Sequence, residues 1–323
     1  MRRQGKLAGM TKWAIVAVVL CLLLMSWLFK WFSHEEHKAT WLWDTSIITE
    51  QTPEIIAFSK EQGVDTIFLQ LQDEVSDTAY RKFIAAATNA EIEVHALNGH
   101  ADWAYREKRA EGLAFIEQVR AYNASSAKNE RFVGIQLDVE PYQLGRWENE
   151  ESRVIAEWQN NMEVWTEAGK AAGLDMSAAI PFWLDARQSA GGKETFSHWV
   201  ISRFDAVAIM AYRDSGQQMY DLSKEELAEA DDLGKKVWIG AELGDTHEGD
   251  HLTFFRKPIS NMDEEMQKVF ELGDSHSSFA GVAVHHYEAW YAKQNGIPLA
   301  RKTEASKEES KESKESKESE QKR

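Results

Sequence analysis

The sequence predicts an α/β fold, a single (β/α)8 TIM barrel preceded by an N-terminal transmembrane helix. Three observations carry this reading. Between residues 39 and 301, short β-branched runs alternate with amphipathic helical stretches, the pattern of a parallel sheet. The alternation repeats eight times in about 260 residues, the size of one such barrel. Polar side chains stand at the C-terminal end of nearly every run. An open doubly wound sheet would gather them where its strand order reverses, so their spread favours closure.

The elements follow in order. The first strand is near 40–43, and its helix opens with Thr52 as cap and Pro53 in the first position, then stops at Gly63. The second strand is 65–71 with a helix over 77–89, and the third is 92–97 with a helix over 106–122. The fourth strand spans 132–142 and precedes a long helix over 149–172. Strands at 175–180, 206–211, 236–241 and 281–285 are followed by helices near 194–203, 224–233, 263–272 and 288–293. Trp158 and Trp165, seven apart on the long helix, read as core. The ring at the strand ends comprises Asp44, Gln70 with Gln72, Asn98 with His100, Asp138 with Glu140, Trp183 with Asp185, Tyr212 with Asp214, Glu242, and His285 with Tyr287.

Both ends of the chain stand apart from this domain. Residues 1–38 are a short basic stub, an uncharged run at 13–29 and a linker. The run is at the short end of what spans a bilayer, and no small-residue cleavage site follows it. Arg2, Arg3, Lys6 and Lys12 in front of it predict a cytoplasmic N-terminus, with the domain outside the cell membrane on a single-pass anchor. A cleaved signal peptide is the alternative. Residues 302–323 repeat Ser-Lys-Glu and have nothing to bury, so they read as a disordered, solvated tail. The only cysteine, Cys21, lies in the apolar run, which excludes disulfides and a thiol nucleophile from the domain.

The chain carries a net charge of −16; the first 38 residues hold +4 and the tail none, which leaves −20 on residues 39–301. Such a surface argues against nucleic acid and anionic lipid as partners and permits a neutral one such as a sugar. No obligate protein partner is evident.

The fourth strand carries the chemistry. Alternate side chains share a face, so Val133, Ile135, Leu137 and Val139 form an apolar side, while Gln136, Asp138 and Glu140 form a polar one. Burying unpaired carboxylates is costly, so the polar side is expected to open into a pocket. A carboxylic acid beside a second carboxylate has a raised pKa and can protonate a glycosidic oxygen. An ion pair or a helix cap is the structural alternative. Glu242 shares the inward face of the seventh strand with Trp238 and Gly240, and could instead form an interior ion pair with Arg213. His285 and His286 are neighbours on a strand and are expected to face opposite ways. No metal-binding pattern of histidines and carboxylates is present, no phosphate-cradling glycine loop and no Gly-x-Ser-x-Gly elbow. No metal and no cofactor are therefore expected.

These residues resemble the family 18 glycoside hydrolases, the chitinases and their relatives. That family carries Asp-x-x-Asp-x-Asp-x-Glu on strand four, where this chain has Val133, Gln136, Asp138 and Glu140. Met210-Ala211-Tyr212 matches its Met-x-Tyr on strand six, and Ser177-Ala178-Ala179-Ile180-Pro181 its small-residue strand five. The resemblance spans most of residues 39–301. It implies substrate-assisted hydrolysis of a surface polysaccharide, one containing N-acetylhexosamine. Glu140 would be the general acid and then the base, Asp138 would orient the acetamido group, and Tyr212 would bond its oxygen. Gln136 replaces the supporting acid, and His285 stands where the family places a tryptophan; Trp183 or Trp290 could supply the stacking face. Asp44, Gln70, Asp185 and Met210 complete the expected substrate-binding set. Glu140-Pro141 and Glu242 also resemble the acid/base and nucleophile of retaining glycosidases on this barrel. A barrel that binds carbohydrate without turnover is the reading from outside the enzymes.

Overall fold

A computed structural model describes residues 36–246 and 248–299. The expected membrane anchor and the Ser/Lys/Glu tail lie outside these residues. Among the described residues no helix is long and apolar enough to cross a membrane.

Eight parallel strands pair in sequence order and close into a barrel. They are β1 (Lys38–Leu42), β2 (Val64–Gln70), β3 (Glu93–Asn98), β4 (Gly134–Leu137), β5 (Asp175–Pro181), β6 (Ala206–Met210), β7 (Lys236–Glu242) and β8 (Phe279–His285). Closure is made by β1 on β8, with Lys38 opposite Val282 and Thr40 opposite Val284. The open sheet is thereby excluded. The helices are α1 (Ile48–Gln62), α2 (Asp77–Asn89), α3 (Arg109–Ala124), α4 (Gly145–Ala171), α5 (Phe196–Arg203), α6 (Gly216–Asp221), α7 (Lys224–Leu233), α8 (Ile259–Gly273) and α9 (Tyr287–Gln294).

Local chemistry explains where the boundaries differ from expectation. Helix α1 starts at Ile48 rather than at Pro53, because a short 3-10 turn over Thr45–Ile47 runs directly into it. Asp44 caps that turn by accepting from the Ser46 N–H. Gly63 ends α1 as expected, with a φ of 71° that favours glycine. Helix α2 has the expected bounds, with Ser76 as its cap. Helix α4 begins at Gly145, but Glu150 is non-helical (φ −133°, ψ 28°), and the expected helix is the piece beyond that kink. β4 is four residues long rather than eleven: past Leu137 the Asp138 N–H still donates to Asn98 O, and then Pro141 opens a 3-10 turn over Pro141–Gln143.

Strand alternation divides the core into two layers. Ile135, Leu137 and Val139 face outward with Ile180, Ile209 and Val284 and are covered by the helices. Trp158 and Trp165 of α4 are buried in this layer, as their spacing predicts. Burial of each such side chain stabilises by roughly 1.5–3 kcal/mol. The second layer is inside the barrel: Ala39, Trp41, Phe68, Leu97, Ala208 and Ala283. Val133 belongs to neither layer. It precedes β4 and is exposed, which corrects its assignment to the apolar face.

Candidate active site

Beyond β4 the alternation holds for three more residues. Gln136 is buried on the interior side, with Asp138 and Glu140 half-buried above it, and Val139 between them remains in the outer layer. Asp138 and Glu140 enter a cavity of about 320 Å³ at the C-terminal end of the strands. Trp41 and Trp43 reach it from β1 and its end, Ala179 from β5, Met210 and Tyr212 from the end of β6, and His285 from β8. The chain beside Asp138 is crowded. A Cβ on Gly99 would lie 1.9 Å from the Asp138 carbonyl oxygen, so only glycine fits there.

Burial pushes the Asp138 carboxyl up from 3.8 to about 8, and the nearby Glu140 charge adds to the effect. Its Oδ1 has no hydrogen-bond partner among the described residues. Asp138 therefore holds a proton at neutral pH. Glu140 accepts from the Tyr142 hydroxyl and from the Gln143 amide. Burial and the Glu140 charge keep the Tyr142 phenol far above its ordinary value, so it stays a donor. The Tyr212 phenol is likewise raised well above its usual value, by burial first and then by Glu242, Asp138 and Glu140. The cavity thus presents a protonated carboxyl near a second, hydrogen-bonded one, with a neutral phenol beside them.

Glu242 does reach the interior end of β7, but its partner is His285 rather than Arg213. Its Oε2 accepts from His285 Nδ1 at 2.8 Å and its Oε1 from the Gly244 N–H at 2.5 Å. Burial alone would raise its pKa, yet the adjoining His285 ring and the hydrogen bonds from it and from Gly244 hold it below the usual carboxylate value. Arg213 instead donates to the Tyr212 carbonyl and lies over the Phe182 ring. Glu242 does not line the cavity.

Several expected ligand contacts are placed elsewhere. Trp290 is buried in the outer layer against Phe58, at 5.6 Å between ring centroids. Asp44 is an exposed cap, and its N–H donates to Glu288. The Gln70 carbonyl accepts from the Thr45 hydroxyl and steadies the turn after β1. Asp185 stands beside Glu226 and Glu229 of α7, outside the barrel. Trp183 stacks edge-on against Tyr142 at 5.0 Å, one ring removed from Glu140. His285 and His286 do not face apart: their rings are 5.1 Å from each other. β8 ends at His285, so strand alternation no longer governs His286, which bonds Glu288 instead. Among the described residues no group of three or more histidines and carboxylates could hold a metal ion.

Four residues of the site were missed in the sequence: Trp41, Trp43, Tyr142 and Gln143. Trp41 and Trp43 carried a signal, since two residues apart on one strand they share a face. Tyr142 and Gln143 carried none, because they belong to the turn that follows the strand.

The geometry has solved counterparts. A GH18 chitinase from Pseudoalteromonas aurantia superposes with a TM-score of 0.51 at 13% identity, over 78% of this chain and 94% of that one. The fold is a chitinase-like (β/α)8 barrel. A chitinase from Bacteroides thetaiotaomicron gives a TM-score of 0.51 at 10% identity, over 82% and 96% of the two chains. The spore cortex-lytic enzyme of Bacillus megaterium gives 0.51 at 10% identity, over 84% and 76%. No family model matches the sequence, and no curated protein is similar to it. At these identities the likeness is one of fold.

Proposed function

We propose that this chitinase-like barrel is a glycosidase acting on a surface polysaccharide that contains N-acetylhexosamine, by substrate-assisted hydrolysis. The observation that carries the reading is the desolvated, protonated Asp138 carboxyl beside Glu140 in a cavity that Tyr212 also lines. A substrate acetamido N–H placed against Asp138 favours the ionised form of that carboxyl. The proton then passes to Glu140, which delivers it to the leaving glycosidic oxygen. The acetamido oxygen attacks the anomeric carbon as that bond breaks, and Tyr212 donates to the same oxygen. Water, deprotonated by Glu140, opens the resulting ring and restores the carboxyl's proton. This route is an exception to the two-carboxylate scheme. It gives Asp138 an orienting role and asks nothing of Glu242, whose two oxygens are already engaged.

The uncharged run at 13–29 and the basic residues before it support a domain tethered outside the cell membrane. Labelling of residues 39–301 in intact cells by a membrane-impermeant reagent tests that arrangement.

The decisive experiment compares wild type, Glu140→Gln and Glu242→Gln on aryl glycosides with and without a 2-acetamido group. Turnover confined to acetamido sugars, lost in Glu140→Gln and kept in Glu242→Gln, is the expected result. Loss in both variants on sugars lacking the acetamido group would move the assignment to a double displacement using Glu140 and Glu242. Glycan binding without turnover would make the barrel a lectin-like module, a reading favoured by the amide at Gln136 in place of an acid.

A further inference from the structure

Trp41 and Trp43 reach the same cavity but differ in what they can offer it. Trp41 is sealed: 2% exposed, 5.4 Å from the Phe68 ring and donating its Nε1–H to Gln136 Oε1. Trp43 is half-buried and stands one pleat step nearer the mouth. Its backbone is pinned, because its carbonyl accepts from Gln72 Nε2 at 3.1 Å. Its indole Nε1–H points at His285 Nε2, at 3.0 Å.

The directions of the bonds along this line are forced. An indole nitrogen can only donate, so His285 Nε2 accepts, and the ring proton resides on Nδ1. Nδ1–H donates to Glu242 Oε2, and Glu242 Oε1 accepts from the Gly244 N–H. The chain runs from Trp43 through His285 and Glu242 to the backbone, with each donor and acceptor matched. It holds the plane of one indole ring at the edge of the cavity.

We propose that Trp43 is the platform on which a pyranose ring of the substrate stacks, and that His285 and Glu242 are positioning residues that set its plane. This rests on reading the cavity as a glycan site. It also assigns Glu242 a task other than that of a nucleophile. The apolar face of a β-linked hexopyranose matches the indole, while the hydroxyl and acetamido groups at its rim reach Asp138, Glu140 and Tyr212.

The test is binding of chitotriose and of cellotriose to the domain carrying Glu140→Gln, which prevents turnover. Trp43→Ala is expected to weaken binding at least about tenfold. Trp43→Phe keeps a ring but lacks the N–H, and His285→Phe keeps the shape but lacks the acceptor. Each is expected to cost about threefold to tenfold, the worth of one hydrogen bond. Their double variant is expected to be no worse than the weaker single, since both remove the same bond. The Trp43 indole N–H resonance is expected to shift on adding chitotriose and in His285→Phe. Thermal melts establish that each variant folds.

Unchanged binding in Trp43→Ala would overturn the platform, even with Glu140-dependent hydrolysis intact in the wild type. Full additivity in the double variant would overturn the positioning role. Trp43-dependent binding together with no turnover by the wild type would support the platform and overturn the hydrolase. Failure of the parent to bind either trisaccharide would overturn both.

Discussion

At the N-terminal end of the strands a recess of about 680 Å³ is lined by Asp65, Glu93, Asp175 and Asp205, whereas the cavity at the C-terminal end is half that size and holds Asp138 and Glu140. In the larger recess three of these four carboxylates have a basic neighbour. His37 bonds Asp65, His95 lies 3.8 Å from Glu93, and Lys235 lies 3.5 Å from Asp205. His95 lowers the Glu93 pKa, so that carboxylate is stabilised in its charged form. In the smaller cavity Asp138 is buried, unpaired at Oδ1 and raised to about 8. A carboxyl held in its disfavoured form stores free energy that a substrate can draw on; a matched one does not. Volume alone would have chosen the wrong end.

The largest expected difference between the two ends is catalytic. Glu140→Gln should lower kcat/KM on the glycoside it cleaves by about 10²- to 10⁴-fold, the usual worth of a general acid. Glu93→Gln at the other end should leave kcat/KM within about twofold. Equal losses from both would erase the distinction.

Next is the stability of the two ends against pH. Between about pH 4 and pH 8 the folded chain keeps the Asp138 proton that the unfolded chain has lost, so stability falls as pH rises through that window. Asp138→Asn removes this titration. It should gain Tm relative to wild type as pH goes from 4 to 8, by about 2–4 °C per kcal/mol, while losing activity. Glu226 of α7 provides an internal comparison. It is buried, its Oε1 has no partner among the described residues, and burial raises it to about 8. Glu226→Gln should show the same gain in stability with activity retained. Thermal melts across the range, read beside initial rates, separate the two.

A smaller effect is expected at Tyr212. Tyr212→Phe removes one donor to the acetamido oxygen and should cost about tenfold in kcat, with KM less affected. The smallest belongs to the N-terminal recess, where disrupting the partly exposed His95–Glu93 pair by Glu93→Gln should change stability by less than about 1 kcal/mol in a melt.

What was legible in the sequence follows the reach of local rules. Gly63 ends α1 and Asp77–Asn89 forms α2 because caps and glycine act within one turn. Gln136, Asp138 and Glu140 were assigned the same interior side because the pleat has a period of two. Asp44, Asp185 and Trp290 were misread because each lies past the end of its strand, beyond the reach of the two-residue pleat. Asp44 turned into a cap, Asp185 toward α7, and Trp290, within α9, packs against Phe58. Glu242 was placed at the correct end but given the wrong partner, since β8, not its own loop, supplies His285.

By itself the sequence determined an eight-unit parallel barrel and the inward carboxylates of strand four, both consequences of hydrophobic periodicity over a few residues. The tertiary structure decided which side chains from β1, β6 and β8 meet those carboxylates, and which fold back into the core. Contacts between Trp43 and His285 join residues 242 positions apart. Only closure of the barrel brings them together, and desolvation at that junction, not the composition of the strand, raises Asp138.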